Sequence, residues 1–69
     1  MSAISITLNG EPHAVPETCS VAMLVAQLGL DARKIAVERN EAIVPRSLYG
    51  QVRLEPGDAL EIVHFIGGG

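Results

Sequence analysis

Aromatic side chains are nearly missing from this chain: one Phe, one Tyr and no Trp stand among 69 residues. Nearly half the residues are nonetheless apolar, so aliphatic packing has to supply the stability. A chain this short makes one domain with one small core, and such a core typically leaves only about 3–5 kcal/mol net. It has little room for a substrate cleft of its own, which argues against an enzyme. A single cysteine, Cys19, excludes an internal disulfide framework. Clustered cations are missing too. Arg33 and Lys34 are adjacent, but Arg39, Arg46 and Arg53 are scattered, and the net charge is -3. The phosphate-neutralising footprint of a nucleic-acid binder is therefore absent, and a mildly acidic surface suits a basic patch on a protein partner instead. No apolar run approaches the length of a membrane span. No basic start followed by a long apolar stretch marks a secretory signal, so a cytoplasmic location and no membrane partner are expected. No His/Cys/Asp/Glu cluster has metal-ligand spacing, and no phosphate-binding glycine loop precedes a helix.

What is present is alternation. Ile4, Ile6 and Leu8 alternate with Ser5 and Thr7, which predicts a half-buried strand over Ala3 to Leu8. Asn9-Gly10 readily takes the positive φ values of a type I′ turn, so Glu11 to Val15 returns as the second strand of a hairpin. Pro12 has no N–H to give a ladder and predicts an edge strand or a bulge. A two-residue loop sets His13 opposite Ile6, where it reads as a packing or rim residue. Ser20 is then a candidate N-cap for a helix from Val21 to Leu28, with Cys19 and Leu24 as a hydrophobic staple. Val21, Leu24, Val25 and Leu28 form its apolar stripe, Met23 lies off that stripe, and Gly29 suits the left-handed position that ends a helix.

Asp31 to Lys34 reads as a polar connection. Ile35 to Arg39 reads as a third strand and Ile43-Val44 as a short fourth, joined through Asn40-Glu41-Ala42 and stopped by Pro45. Arg46 to Gly50 suggests a single helical turn or loop with Leu48 and Tyr49 packed beneath it. Val52 to Leu54 is a brief extended piece, and Glu55-Pro56-Gly57-Asp58 fits a type II turn. The final strand is predicted from Ala59 to Phe65, with Leu60, Ile62 and His64 on one face and Glu61, Val63 and Phe65 on the other. Glu61 marks the second face as outward. Val63 and Phe65 are thereby left on the solvent side, and they form the best docking patch in the sequence. Pairing the first and last strands in parallel at the centre of a mixed sheet, packed on one main helix, is the natural closure. That is an α+β fold of the β-grasp, ubiquitin-like kind, spanning residues 1–66.

Residues 67–69 are three consecutive glycines, expected to form a flexible C-terminal tail. Extended, the last four residues reach about 13 Å at most. With Gly69 as the last residue, the chemistry this tail offers is a terminal carboxylate on a segment slender enough to thread a narrow slot.

Several stretches carry a resemblance across the whole length. They are Ile6-Thr7-Leu8-Asn9-Gly10-Glu11, Ser20-Val21-Ala22-Met23-Leu24, Ile43-Val44-Pro45-Arg46-Ser47, Gly57-Asp58, and Glu61-Ile62-Val63-His64-Phe65-Ile66-Gly67-Gly68-Gly69. Together they resemble the ThiS family, the sulfur carriers of thiamine thiazole biosynthesis. Glu41 departs from the family pattern, which often has Gly after the Asn. The resemblance implies a protein co-substrate and not an enzyme. Gly69 would be the acyl-adenylate and thiocarboxylate site, Gly67 and Gly68 would present it, and Val63, Phe65 and Ile66 would bind partners. The implied partners are a ubiquitin-activating-type, ThiF-like adenylyltransferase that uses ATP and Mg, a sulfur-donating persulfide protein, and a ThiG-like thiazole synthase. The chain itself would bind no cofactor and no metal. A molybdopterin synthase small subunit, a non-catalytic β-grasp interaction module and a protein modifier forming isopeptides through Gly69 are the competing readings. Cys19 has two readings, a reactive thiolate near a helix N-terminus or a buried hydrophobe, the second favoured. Arg46 either meets a partner carboxylate or closes its loop onto the terminal strand, the second slightly favoured. Glu55, Asp58 and Glu61 are candidates to face a basic partner.

Overall fold

The computed structural model describes residues 2–65. Strands β1 (Ala3–Leu8) and β2 (Glu11–Pro16) form the first hairpin, in a register that places Leu8 opposite Glu11 and Ile6 opposite His13. Asn9 and Gly10 both have positive φ, 52° and 85°, as a type I′ turn requires. Helix α1 (Val21–Gln27) follows, then β3 (Ile35–Arg39), β4 (Ala42–Val44) and β5 (Ala59–His64). The five strands make one mixed sheet in the order β2-β1-β5-β3-β4. β5 runs parallel to β1 and antiparallel to β3, so the last strand occupies the middle. Pro12 sits on the edge strand β2, where the ladder loses least from its missing donor.

Helix α1 forms where the apolar stripe repeats at helical spacing. Val21, Leu24 and Val25 are buried against Ile6, Val15, Val37, Leu54, Leu60 and Ile62. Burying one such side chain is worth about 1.5–3 kcal/mol. Three of the donors a helix leaves unpaired at its start, those of Val21, Ala22 and Met23, find partners. Val21 N–H donates to the Val52 carbonyl at 2.9 Å and Ala22 N–H to the Tyr49 carbonyl at 2.9 Å. Met23 N–H donates to the Ser20 hydroxyl at 3.1 Å, and Leu24 N–H then makes the first regular helical bond, to the Ser20 carbonyl at 3.0 Å. The segment after β4 is thereby fastened to the helix rather than left as a free crossover. At the other end Gly29 takes φ 73°. Its N–H reaches Ala26 O at 3.0 Å, and Leu30 N–H reaches Val25 O at 3.1 Å, a Schellman closure.

The structure corrects some local expectations. Asp31 to Lys34 is a capped 3-10 turn over Ala32–Lys34, with the Asp31 side chain accepting from Arg33 N–H. The Arg33 guanidinium also donates to that carboxylate and holds its pKa down at about 2. The turn between β3 and β4 is two residues, because Ala42 already belongs to β4. After Pro45, Tyr49 is buried but Leu48 stays 38% exposed; in the short 3-10 turn Arg46–Leu48 Tyr49 alone takes up the packing place beneath the loop. His64 shares parity with Leu60 and Ile62 but is exposed, as the last residue of β5.

β5 is held at its start by a buried polar knot. Asp58, 6% exposed, accepts from Arg39 Nε at 2.7 Å, Asn40 Nδ2 at 3.1 Å and Glu55 N–H at 2.8 Å. Burial pushes its carboxyl pKa up, but the Glu55 N–H, the Arg39 guanidinium and the Asn40 amide outweigh that and hold it below the usual value. A lowered folded-state pKa means stability that is present above the unfolded pKa, about 3.9, and lost as pH falls through the folded one. Asp58→Ala should therefore cost about 2–3 kcal/mol near neutrality, read by urea unfolding. It should also unfold with a weaker acid dependence below about pH 4 than the wild type. Glu41 has φ 71° in the β3–β4 turn, a region that strains a residue with a Cβ. Glu41→Gly should raise stability by about 1 kcal/mol in the same measurement; no gain would mean the turn is relaxed as it stands.

Candidate functional site

The residues that lead into the glycine tail are placed by β5. Its alternation buries Leu60 and Ile62 and turns Glu61 and Val63 outward. Val63 is 57% exposed and Phe65 59% exposed, as the strand's parity predicts. The antiparallel ladder runs one step beyond the strand, since Phe65 N–H donates to the Lys34 carbonyl at 2.9 Å. Phe65 is thus pinned through its backbone while its ring stays in solvent. Ile66, Gly67, Gly68 and Gly69 lie outside the described residues.

Register gives the rest of this face. Val63 lies beside Ala36, and Glu61 lies beside Glu38, which in turn lies beside Ile43 of β4. Ile43 is 64% exposed. Around the tip of β4 a groove of about 330 Å³ is lined by Ala36, Ile43, Pro45, Arg46, Tyr49 and Phe65. The result is an apolar surface beside the root of the tail, built from an edge strand and the central strand.

Asn9 and Asn40 do more than turn the chain. Asn9 N–H donates to Leu60 O at 2.8 Å, and its side chain then takes over the ladder. Oδ1 accepts from Ile62 N–H at 2.9 Å, and Nδ2 donates to Ile62 O at 3.3 Å. On the other flank Asn40 N–H donates to Ala59 O at 2.8 Å, and its Oδ1 accepts from Ala59 N–H at 2.9 Å. Each side-chain amide replaces a peptide group that the turn has rotated away. The available signal was Asn, rather than Asp or Gly, at the first turn position next to a strand that outlasts its neighbour.

Several candidate residues find other places. Asp58 faces inward into its knot with Arg39 and Asn40 and is not available to a basic partner, because the turn before β5 needs a buried acceptor. Glu55 and Glu61 are exposed. Cys19 is 2% exposed, its Sγ lies 3.4 Å from the Ser20 carbonyl, and burial pushes the thiol pKa up. That is the buried-hydrophobe environment and the reverse of an activated thiolate. Arg46 lines a groove shared with Ile43, Tyr49 and Phe65. Among the described residues no group of His, Cys, Asp and Glu could hold a metal ion, and no helix is long and apolar enough to cross a membrane.

The ThiS family model matches residues 6–69. Relatives include a thiazole synthase of Paramagnetospirillum magneticum, 50% identical over 66 residues. That match takes in 96% of this chain but only 20% of the relative, so the chain spans about a fifth of that protein's length. The sulfur carrier protein ThiS of Bacillus subtilis is 40% identical over 53 residues, covering 77% of this chain and 80% of the relative. The crystal structure of the thiamine biosynthesis protein ThiS from Geobacter metallireducens superposes with a TM-score of 0.82 at 32% identity, covering 96% of this chain and all of that one. With a matching family model over nearly its whole length and a solved ThiS structure superposing on nearly all of it, the chain belongs to the ThiS family.

Proposed function

We propose that the chain is a sulfur carrier that bears a thiocarboxylate on Gly69 and donates its sulfur to the thiazole of thiamine. The observation that carries this reading is the outward Val63–Phe65 face, held by the Phe65–Lys34 hydrogen bond immediately before the Gly67-Gly68-Gly69 sequence. Family membership through residue 69 supports it. A relative named thiazole synthase that contains a stretch half identical to this chain supports thiazole synthase as the acceptor.

A carboxylate is a poor acyl electrophile because its leaving group would be oxide. Activation attaches the carboxylate oxygen to the α-phosphorus of ATP and expels pyrophosphate, so that AMP becomes the leaving group. The terminal sulfur of a partner's persulfide attacks the acyl carbon and AMP departs. A thiol then cleaves the resulting acyl disulfide, leaving the thiocarboxylate on Gly69. ATP and Mg belong to the ubiquitin-activating-type adenylyltransferase, the persulfide to a second protein, and the final acceptor is the thiazole synthase. The carrier is a co-substrate in each step. Gly67 and Gly68 give the reactive end access to a narrow site, and Val63, Phe65 and Ile66 hold the partner. This reading needs neither Cys19 nor any internal acid or base, in keeping with the buried thiol.

Intact-mass analysis after incubation with ATP, Mg, the adenylyltransferase and a persulfide donor should show one oxygen exchanged for one sulfur at the Gly68-Gly69 end. No exchange with an authentic activating enzyme would falsify the assignment. Phe65→Ala should weaken binding to the adenylyltransferase by about tenfold, as loss of a central aromatic contact does. Its unfolding free energy should stay within about 0.5 kcal/mol of wild type, because the ring is exposed. A large loss of stability with unchanged binding would mean the ring packs inward.

A further inference from the structure

The outward face is graded in charge along β3 and β5, and the gradient specifies what should cover it. Nearest the tail, Lys34 stands beside Phe65. In the middle, Ala36 stands beside Val63. At the far end, Glu38 and Glu61 are direct cross-strand partners, with exposed Ile43 on the other side of Glu38. Two like charges opposite each other on a sheet destabilise it. Among the described residues neither glutamate is in an ion pair, since the ion pairs are Arg33–Asp31 and Arg39–Asp58. The isolated carrier therefore carries an electrostatic cost on the face that also holds exposed Ile43, Val63 and Phe65. A cation placed between the two carboxylates would remove that cost, with apolar neighbours resting on Val63 and Ile43.

We propose that this face docks a protein surface presenting an arginine or lysine to the Glu38–Glu61 pair, with apolar side chains around it reaching Val63 and the groove beside Phe65. The proposal rests on the carrier reading and deepens it: the partner is the adenylating enzyme that must accept the tail. Complementary charge at one end of an apolar patch fixes register as well as attraction. With the cation on Glu38 and Glu61, the carrier seats in one direction along β5, and Phe65 leads toward the partner's catalytic site.

The test uses the full chain, the adenylyltransferase of its own organism, ATP, Mg and a persulfide donor, with sulfur gain followed by mass. The double variant Glu38→Gln/Glu61→Gln is compared with Glu11→Gln/Glu17→Gln, which removes the same charge from exposed positions elsewhere. The first should raise the KM for the carrier by about tenfold at low salt and lose most of its salt dependence, with thermal stability equal to wild type or higher. The control should stay within about twofold. Equal KM values for the two variants would overturn the docking inference while leaving the carrier reading intact. Wild-type dimerisation at assay concentrations that the Glu38/Glu61 variant alters would also overturn it, by making the occupant a second copy. A wild type that gains no sulfur overturns the carrier reading and this inference with it.

Discussion

Everything the molecule presents depends on how β5 is gripped. This strand comes last in sequence but lies in the middle of the sheet; β1 turns away at Asn9 before β5 has finished, and the turn between β3 and β4 falls beside the start of β5. A ladder that stopped where those turns begin would leave Ala59 N–H and both Ile62 peptide groups without partners. The Asn9 and Asn40 amides fill those places from the two sides. An unpaired buried peptide group costs about 1–3 kcal/mol, so the Asn9 amide, on the partly buried Ile62 groups, firms the part of the strand that leads toward Phe65, while the Asn40 amide secures its exposed start at Ala59. Asp58 secures the same strand at its start through Arg39 and Asn40. Asn40 belongs to both arrangements and ties the β3–β4 turn to β5.

That grip explains why the two faces of β5 differ so sharply. Leu60 and Ile62 are committed to the core with Leu24 and Val37, so the register of β5 cannot slip by one residue without exposing them and burying Glu61. Val63 and Phe65 are consequently fixed on the outside. Their exposure is a result of the inward residues' packing, and a partner meets a surface already arranged. Preorganisation of this kind lowers the ordering cost of binding.

Much of this was legible in the residues. Period-two alternation marked β1 and β5, helical spacing marked α1, and Asn9-Gly10, Gly29 and Gly57 marked their turns, because each signal is local and has one strong physical cause. The inference that β1 and β5 pair in parallel rests on both being core-like strands separated by the helix. What was not legible depended on distant partners. Asp58 reads as a surface acid until Arg39 and Asn40 are seen around it. Leu48 and Tyr49 are adjacent in a short turn, and which of them is buried is set by where that turn crosses α1. The Asn9 and Asn40 amides act across strands far apart in sequence, so no local pattern carries their role. For the site, parity placed Val63 and Phe65 outside. The Glu38–Glu61 pairing required the register of β3 on β5.

An exposed apolar sheet face beside an edge strand is a hazard for any small protein, because unpaired edges invite other strands. This chain limits the hazard without covering the face. β4 is only three residues long and ends at Pro45, the opposite edge strand carries Pro12, and the Glu38–Glu61 pair sits where a second apolar sheet would have to lie. A carboxylate pair there lowers the stability of the free carrier slightly and obstructs any surface that brings like charge to it. The same pair does not obstruct a partner with a suitably placed cation. Specificity on a surface this small thus comes from what it repels as much as from what it attracts. The cross-strand repulsion that is a defect within the isolated sheet becomes a selection rule when the face is used.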